Sequence, residues 1–203
     1  MILDLFPTSV YVDEFSLTDT ERDFLLSVPL NRNDDDVASV SSTRLNEEEG
    51  YQSFLRKVDQ HVYEYAFNIM KLDPRYDLKC HGAWVNRNDT GDRTNPHHHS
   101  NSLISGVYYI DVEAESQGAI DFTDEKCGPF GKFFTLLNYT EQQIRNSHIS
   151  QIKVKNGMIL LFPSILKHGV AMNRSLTPRY STAFDYMIEG EVSGWVNRMS
   201  VTL

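Results

Sequence analysis

The sequence has no apolar run approaching the roughly eighteen residues that a membrane-crossing helix requires. Its first residues, Met1 to Pro7, lack a basic segment and carry Asp4 where a signal peptide needs apolar length. Cysteine is scarce: Cys80 and Cys127 are the only two, with no CxxC spacing, which excludes a disulfide framework and a thiolate zinc site. These absences predict a cytoplasmic protein with reduced thiols. Positive charge is also short, with 19 basic residues against 28 acidic ones and a net charge of −9, so neither nucleic acid nor an anionic membrane is an expected partner. There is no internal repeat and no low-complexity tract. A chain of 203 residues suits one domain with a sizeable core.

Leu5 to Val12 is apolar and β-branched enough for a short strand. Thr18 and Glu21 have capping-box spacing, which predicts a helix burying Phe24, Leu25 and Val28 and ending at Pro29. Residues 31–50 are polar, with acidic triplets at 34–36 and 47–49, and read as a solvated and mobile loop. From Tyr51 to Leu72, apolar residues at Phe54, Val58, Val62, Tyr65 and Ile69 step by three and four, predicting one amphipathic helix that stops before Asp73-Pro74.

Beyond residue 76 strand character dominates. Leu78 to Asn86, Leu103 to Val112, Gly118 to Thr123, Ile149 to Val154, Met158 to Phe162, His168 to Met172 and Arg179 to Ile188 are short apolar or alternating runs. Turn signals separate them, among them Lys155-Asn156-Gly157. A series of short strands without intervening helices predicts a sandwich or barrel. The division expected is an N-terminal strand and helices over 1–75, a β core over 76–190 and a C-terminal tail over 191–203. Residues 124–147, irregular and long, are read either as a lid or as a surface excursion.

The chemistry begins at Asn95-Pro96-His97-His98-His99. Histidines two apart on extended backbone project to the same side, so His97 and His99 can share a metal ion while His98 faces away. His168, where the apolar run 158–162 gives way to a new segment, is the best third ligand. Three ligands on one side of a metal leave the opposite positions open, as in non-haem iron oxygenases. Arg179 opens the last long strand and can grip a carboxylate with two parallel hydrogen bonds; Ser181 lies on the same face. His61, His81 and His148 read as packing or surface histidines.

Taken in order, His97 to His99, Ser105-Gly106-Val107-Tyr108-Tyr109, Leu161-Phe162-Pro163-Ser164 to His168, and Arg179 to Ser181 resemble the 2-oxoglutarate/iron(II) oxygenases, particularly a group found in phages and bacteria and related to prolyl 4-hydroxylases. The resemblance runs over roughly residues 80–188. It implies a mainly β fold with flanking helices around a double-stranded β-helix, or jelly-roll, core. It also implies Fe(II) as cofactor and 2-oxoglutarate as co-substrate, held by Arg179 with Ser181 and Tyr109, while Tyr108 faces away. The implied reaction couples oxidative decarboxylation of 2-oxoglutarate to hydroxylation of a C–H bond in a small molecule or a peptide, a prolyl residue being one option. A phage-encoded chain would work in the host cytoplasm.

The family motif is His-x-Asp or His-x-Glu, and here His99 stands in the carboxylate position. Asp121 in the next strand is an alternative source of that carboxylate. Two other readings stay open: a three-histidine iron oxygenase that does not use 2-oxoglutarate, and a non-enzymatic β-barrel or virion-associated module with a structural metal.

Overall fold

The computed structural model of the chain describes residues 3–33, 37–113, 115–125, 137–141, 143–193 and 198–203. Its N-terminal part comprises β1 (Tyr11–Glu14), α1 (Asp19–Ser27), β2 (Asn31–Asn33), β3 (Ala38–Val40) and α2 (Gln52–Tyr63). The strands β4 (Asp77–Asn88), β5 (Thr94–His97), β6 (Ile104–Asp111), β7 (Ile120–Thr123) and β8 (Ile149–Ile152) follow. The chain closes with β9 (Met158–Pro163), β10 (Lys167–Val170), β11 (Arg179–Ser193) and β12 (Arg198–Val201).

The strands form two antiparallel sheets. The larger has the order β1-β9-β6-β11-β4-β3-β2, with β12 paired to the far end of β11; the smaller has the order β5-β10-β7-β8. Side-chain alternation then decides what each face of the larger sheet does. Tyr108, Ile159, Leu161, Phe184 and Ala83 point to one side and pack with Phe54, Val58 and Val62 of α2. Val107, Tyr109, Leu160 and Phe162 point to the other and meet Ile120 and Phe122 of the smaller sheet. Two sheets facing each other over a shared core, with helices on one outer face, make a double-stranded β-helix.

α1 begins as its spacing predicts. The Thr18 side chain accepts from the Glu21 amide, and Glu21 accepts from the Thr18 amide at 2.8 Å. Leu25 and Val28 are buried, and Phe24 is half-buried.

Three expectations need correction. β1 starts only at Tyr11, because β9 offers partners from Tyr11 opposite Leu161 to Glu14 opposite Met158 and no further. Residues 31–50 are not a simple loop: β2 and β3 form a hairpin that extends the larger sheet past β4, followed by two short 3₁₀ turns. Among the described residues of that hairpin, Ala38 alone is fully buried. An isolated apolar anchor is too little for a period to be seen. The helix expected over Tyr51 to Leu72 changes character at Glu64, where Glu64–Ile69 forms a π-helical turn. The Met70 amide bonds the Tyr65 carbonyl five residues back, and the wider turn leaves Ile69 about half exposed. The acidic triplet at 34–36, half of the 124–147 segment, including Phe133 and Phe134, and also Trp195 lie outside the described residues.

Candidate metal and co-substrate site

His97 ends β5 and His168 lies in β10, and the two are directly opposite one another in the antiparallel register. Directly opposed residues project to the same side of a sheet, and the two rings sit 4.5 Å apart. His99, two residues beyond His97, places its ring 5.1 Å from that of His97 and 5.3 Å from that of His168. Its backbone amide is tied to the Ser164 carbonyl. Each of the three offers a ring nitrogen, and these atoms lie within 4.8 Å of one another. His98 is exposed.

Hydrogen bonding selects which nitrogen is offered. His97 Nδ1 is 2.8 Å from the Asn95 carbonyl and His168 Nδ1 is 2.9 Å from the Leu166 carbonyl. A carbonyl only accepts, so both Nδ1 atoms carry the proton and each Nε2 keeps a lone pair. His99 Nδ1 meets the two Asp185 carboxylate oxygens at 2.8 and 2.7 Å, with the same result. This is how metal-binding histidines are held: the second nitrogen donates to a carbonyl or carboxylate and the first is aimed. Burial pushes the His168 imidazole down to about 4, which keeps it neutral and ligand-competent at physiological pH.

The histidines open on a cavity of about 410 Å³ between the sheets. β11 lines it with Arg179, Ser181, Ala183 and Asp185, alternate residues of one strand face. β4 adds Trp84, Asn86 and Asn88; β6 adds Ser105, Val107 and Tyr109. Arg179 is 1 % exposed, and its hydrogen-bond acceptors are all neutral. Nη2 donates to Asn88 Oδ1 at 2.8 Å, and Nη1 donates to the Gly118 carbonyl at 3.1 Å and the Gln117 carbonyl at 3.4 Å. Gly118 reaches that position with φ +95°, and a Cβ there would lie 2.2 Å from the Ala171 carbonyl oxygen. Only glycine fits.

Arg179 Nε and Asn88 Nδ2 are buried donors with no acceptor among the described residues. A buried guanidinium with neutral partners and two orphaned donors on the wall of a cavity fits an anionic oxygen ligand. Tyr109 faces the same cavity, its ring 5.8 Å from the guanidinium, and burial pushes its phenol up to about 12, so it keeps its proton. Ser181 stands opposite Tyr109 in the β11–β6 register, while Tyr108 turns to the helix side and bonds the Phe15 carbonyl.

With the site assembled, comparison with known proteins is informative. Residues 82–185 match the protein-family model described as "Putative 2OG-Fe(II) oxygenase". This chain belongs to that family.

The oxygenase has the fold of several solved structures. A prolyl-4-hydroxylase from Pseudomonas putida is 14 % identical, with 92 % of this chain and 96 % of that one covered and a TM-score of 0.59. The viral collagen prolyl hydroxylase of Paramecium bursaria Chlorella virus-1, solved as its 2-oxoglutarate complex, is 16 % identical, with 87 % and 94 % covered and a TM-score of 0.53. HygX from Streptomyces hygroscopicus, solved with nickel and 2-oxoglutarate, is 12 % identical, with 88 % and 82 % covered and a TM-score of 0.57. No curated protein sequence matches the chain. The oxygenase is thus an iron(II)- and 2-oxoglutarate-dependent enzyme.

The remaining sequence candidates fall elsewhere. Asp121 is not in the histidine cluster: Ile120 and Phe122 fill the inward positions of β7, so Asp121 faces outward and accepts from Gln151. His81 bonds Ser102 Oγ, and His61 stacks on Phe15. Two site residues were missed by reading the sequence, Asn88 and Asp185. Asp185 had a usable signal, since 179, 181, 183 and 185 share one strand face. Asn88 had none, because its partner lies 91 residues away. No helix among the described residues is long and apolar enough to cross a membrane.

Proposed function

We propose that this oxygenase is a hydroxylase in which His97, His99 and His168 hold iron while Arg179 and Asn88, flanked by Ser181 and Tyr109, hold the distal carboxylate of 2-oxoglutarate. One observation carries the reading. Three histidines with their Nδ1 atoms occupied converge on a cavity whose wall contains a buried arginine without an anionic partner. Iron, when bound, supplies the redox chemistry that couples decarboxylation of 2-oxoglutarate to oxidation of a C–H bond.

The chain's own groups bind and orient. Arg179 presents Nε and Nη donors in one plane, matching a carboxylate. The protonated Tyr109 phenol can donate to the same anion. His97, His99 and His168 would hold the ion through three protein ligands, as a catalytic site does, rather than through the four of a closed structural site. Arg179 also argues against a three-histidine oxygenase without 2-oxoglutarate, since that chemistry has no use for a buried cation.

The lining supports one substrate class. Apart from the histidines, Arg179 and Asp185, the lining residues are uncharged, with Trp84, Asn86, Asn101 and Thr43 among them. Such a surface suits a neutral, polar carbon framework, and a prolyl or other uncharged residue of a peptide meets that description. The test is anaerobic loading with Fe(II) and 2-oxoglutarate, then oxygen, over a panel of proline-containing peptides and neutral small molecules. Succinate release with gain of one oxygen atom on a panel member is expected. Absence of succinate in every reaction, coupled or uncoupled, would overturn the assignment.

A further inference from the structure

Asp185 is buried, at 6 % exposure, and the hydrogen bonds its carboxylate accepts come from His99 and Ser105. Ser105 Oγ donates at 2.6 Å from directly across the β11–β6 register, and Ser105 is itself 2.9 Å from Ser164 Oγ. No lysine or arginine pairs with Asp185 among the described residues' ion pairs; its one ionic contact is His99. An anion buried with no cation at hand is costly. A metal ion held at Nε2, on the far side of the His99 ring, would supply the compensating charge.

Alternation along β11 puts Asp185 on the cavity face with Arg179, Ser181 and Ala183. Pairing between β11 and β4 slips at Asp185, which faces Gly82 while Tyr186 faces Cys80, so His81 is the extra residue. The slip falls in β4 and leaves β11 regular: Phe184, Tyr186 and Ile188 pack on the helix side, and Asp185 stays on the cavity face.

We propose that Asp185 is a positioning residue for the metal: through His99 Nδ1–H it fixes the tautomer and ring plane of His99, and it supplies the negative charge that none of the three imidazole ligands carries. The proposal rests on His97, His99 and His168 being the metal ligands. An imidazole that donates to a carboxylate becomes a stronger ligand, so His99 takes on part of the role of an anionic ligand while Asp185 itself stays off the metal. One strand, β11, then serves both halves of the site. Its Arg179 end meets the co-substrate and its Asp185 end backs a metal ligand.

The experiment is a Co(II) titration of the purified chain, read by calorimetry and by the visible absorption of the bound ion, on wild type, Asp185→Asn, Asp185→Ala and Asp185→Glu. Asp185→Ala is expected to bind Co(II) about 10–100-fold more weakly. Asp185→Asn can still accept from Nδ1–H but lacks charge; it should fall between, with a shifted absorption band. Asp185→Glu should recover part of the affinity. A merely structural aspartate would leave Co(II) affinity and absorption band unchanged in the variants that fold, and that result overturns the proposal. Equal Co(II) affinity in wild type and Asp185→Asn also overturns it while leaving the three-histidine reading standing. Wild-type protein that binds no Co(II) overturns both. If the Asp185 variants do not fold, Ser105→Ala, which removes one of the carboxylate's two donors, replaces them; about threefold or greater weakening supports the proposal, and no change overturns it.

Discussion

At the scale of single residues, the site divides into groups that a strand's alternation announces and groups that only tertiary contact reveals. His97, His99 and Ser181 follow from counting by two along extended chain, and Tyr109 from the family resemblance. Asn88 does not, because an asparagine at the end of a strand ordinarily faces water, and its burial here depends on Arg179 arriving from β11. That dependence can be measured. Arg179→Ala should weaken 2-oxoglutarate binding by a factor of a hundred or so, the order expected when a buried charged pair loses one member, with Co(II) affinity unchanged in calorimetry. Arg179→Lys keeps charge and loses the planar fork, and should recover little. Asn88→Ala removes both the acceptor that orients the guanidinium and an orphaned donor; a loss of about 1–3 kcal/mol in 2-oxoglutarate binding is expected.

At the scale of elements, periodicity is a reliable guide only while hydrogen-bond spacing stays constant. The stripe Phe54, Val58 and Val62 is buried as its spacing requires. The π-helical turn after Tyr63 then adds a residue per turn and carries Ile69 toward solvent, a change invisible in side-chain types. The helix α2 is the main cover of the larger sheet, so Phe54→Ala should destabilise the chain by about 3–5 kcal/mol in urea unfolding. α1 makes a prediction in pH. Burial resists ionisation of Glu21, yet hydrogen bonds from Lys57, the Thr18 amide and Ser53 together hold its carboxyl below the usual range. A depressed native pKa gives stabilisation that is complete above the unfolded value, about 4.3, and disappears as pH falls through the native one. Glu21→Gln should therefore cost about 1–2 kcal/mol at neutral pH, and the difference from wild type should close in unfolding curves recorded at successively lower pH below about 4.

At the scale of the whole molecule, the two-sheet architecture was legible because nearly every strand of the core carries its own apolar run. The β2–β3 hairpin was not, since three-residue strands are too short to show alternation. Pairing in the smaller sheet is uneven: β10 and β7 match over four residues, whereas β5, at the sheet edge, is joined to β10 at only two registered positions with a slip between them. One of those two positions is the His97–His168 pair. A metal ion held by both histidines would therefore act as a clasp on a loosely paired seam, converting a weak edge into a cross-linked one. Amide hydrogen exchange over residues 94–99 should slow when Mn(II) is added to chelator-treated protein, while β6 and β11 barely change, and the melting temperature should rise with metal concentration by mass action. Under iron limitation the same seam would lose that clasp, exposing a strand edge that neighbouring copies can join, so metal supply would bear on the lifetime of the fold as well as on its catalysis.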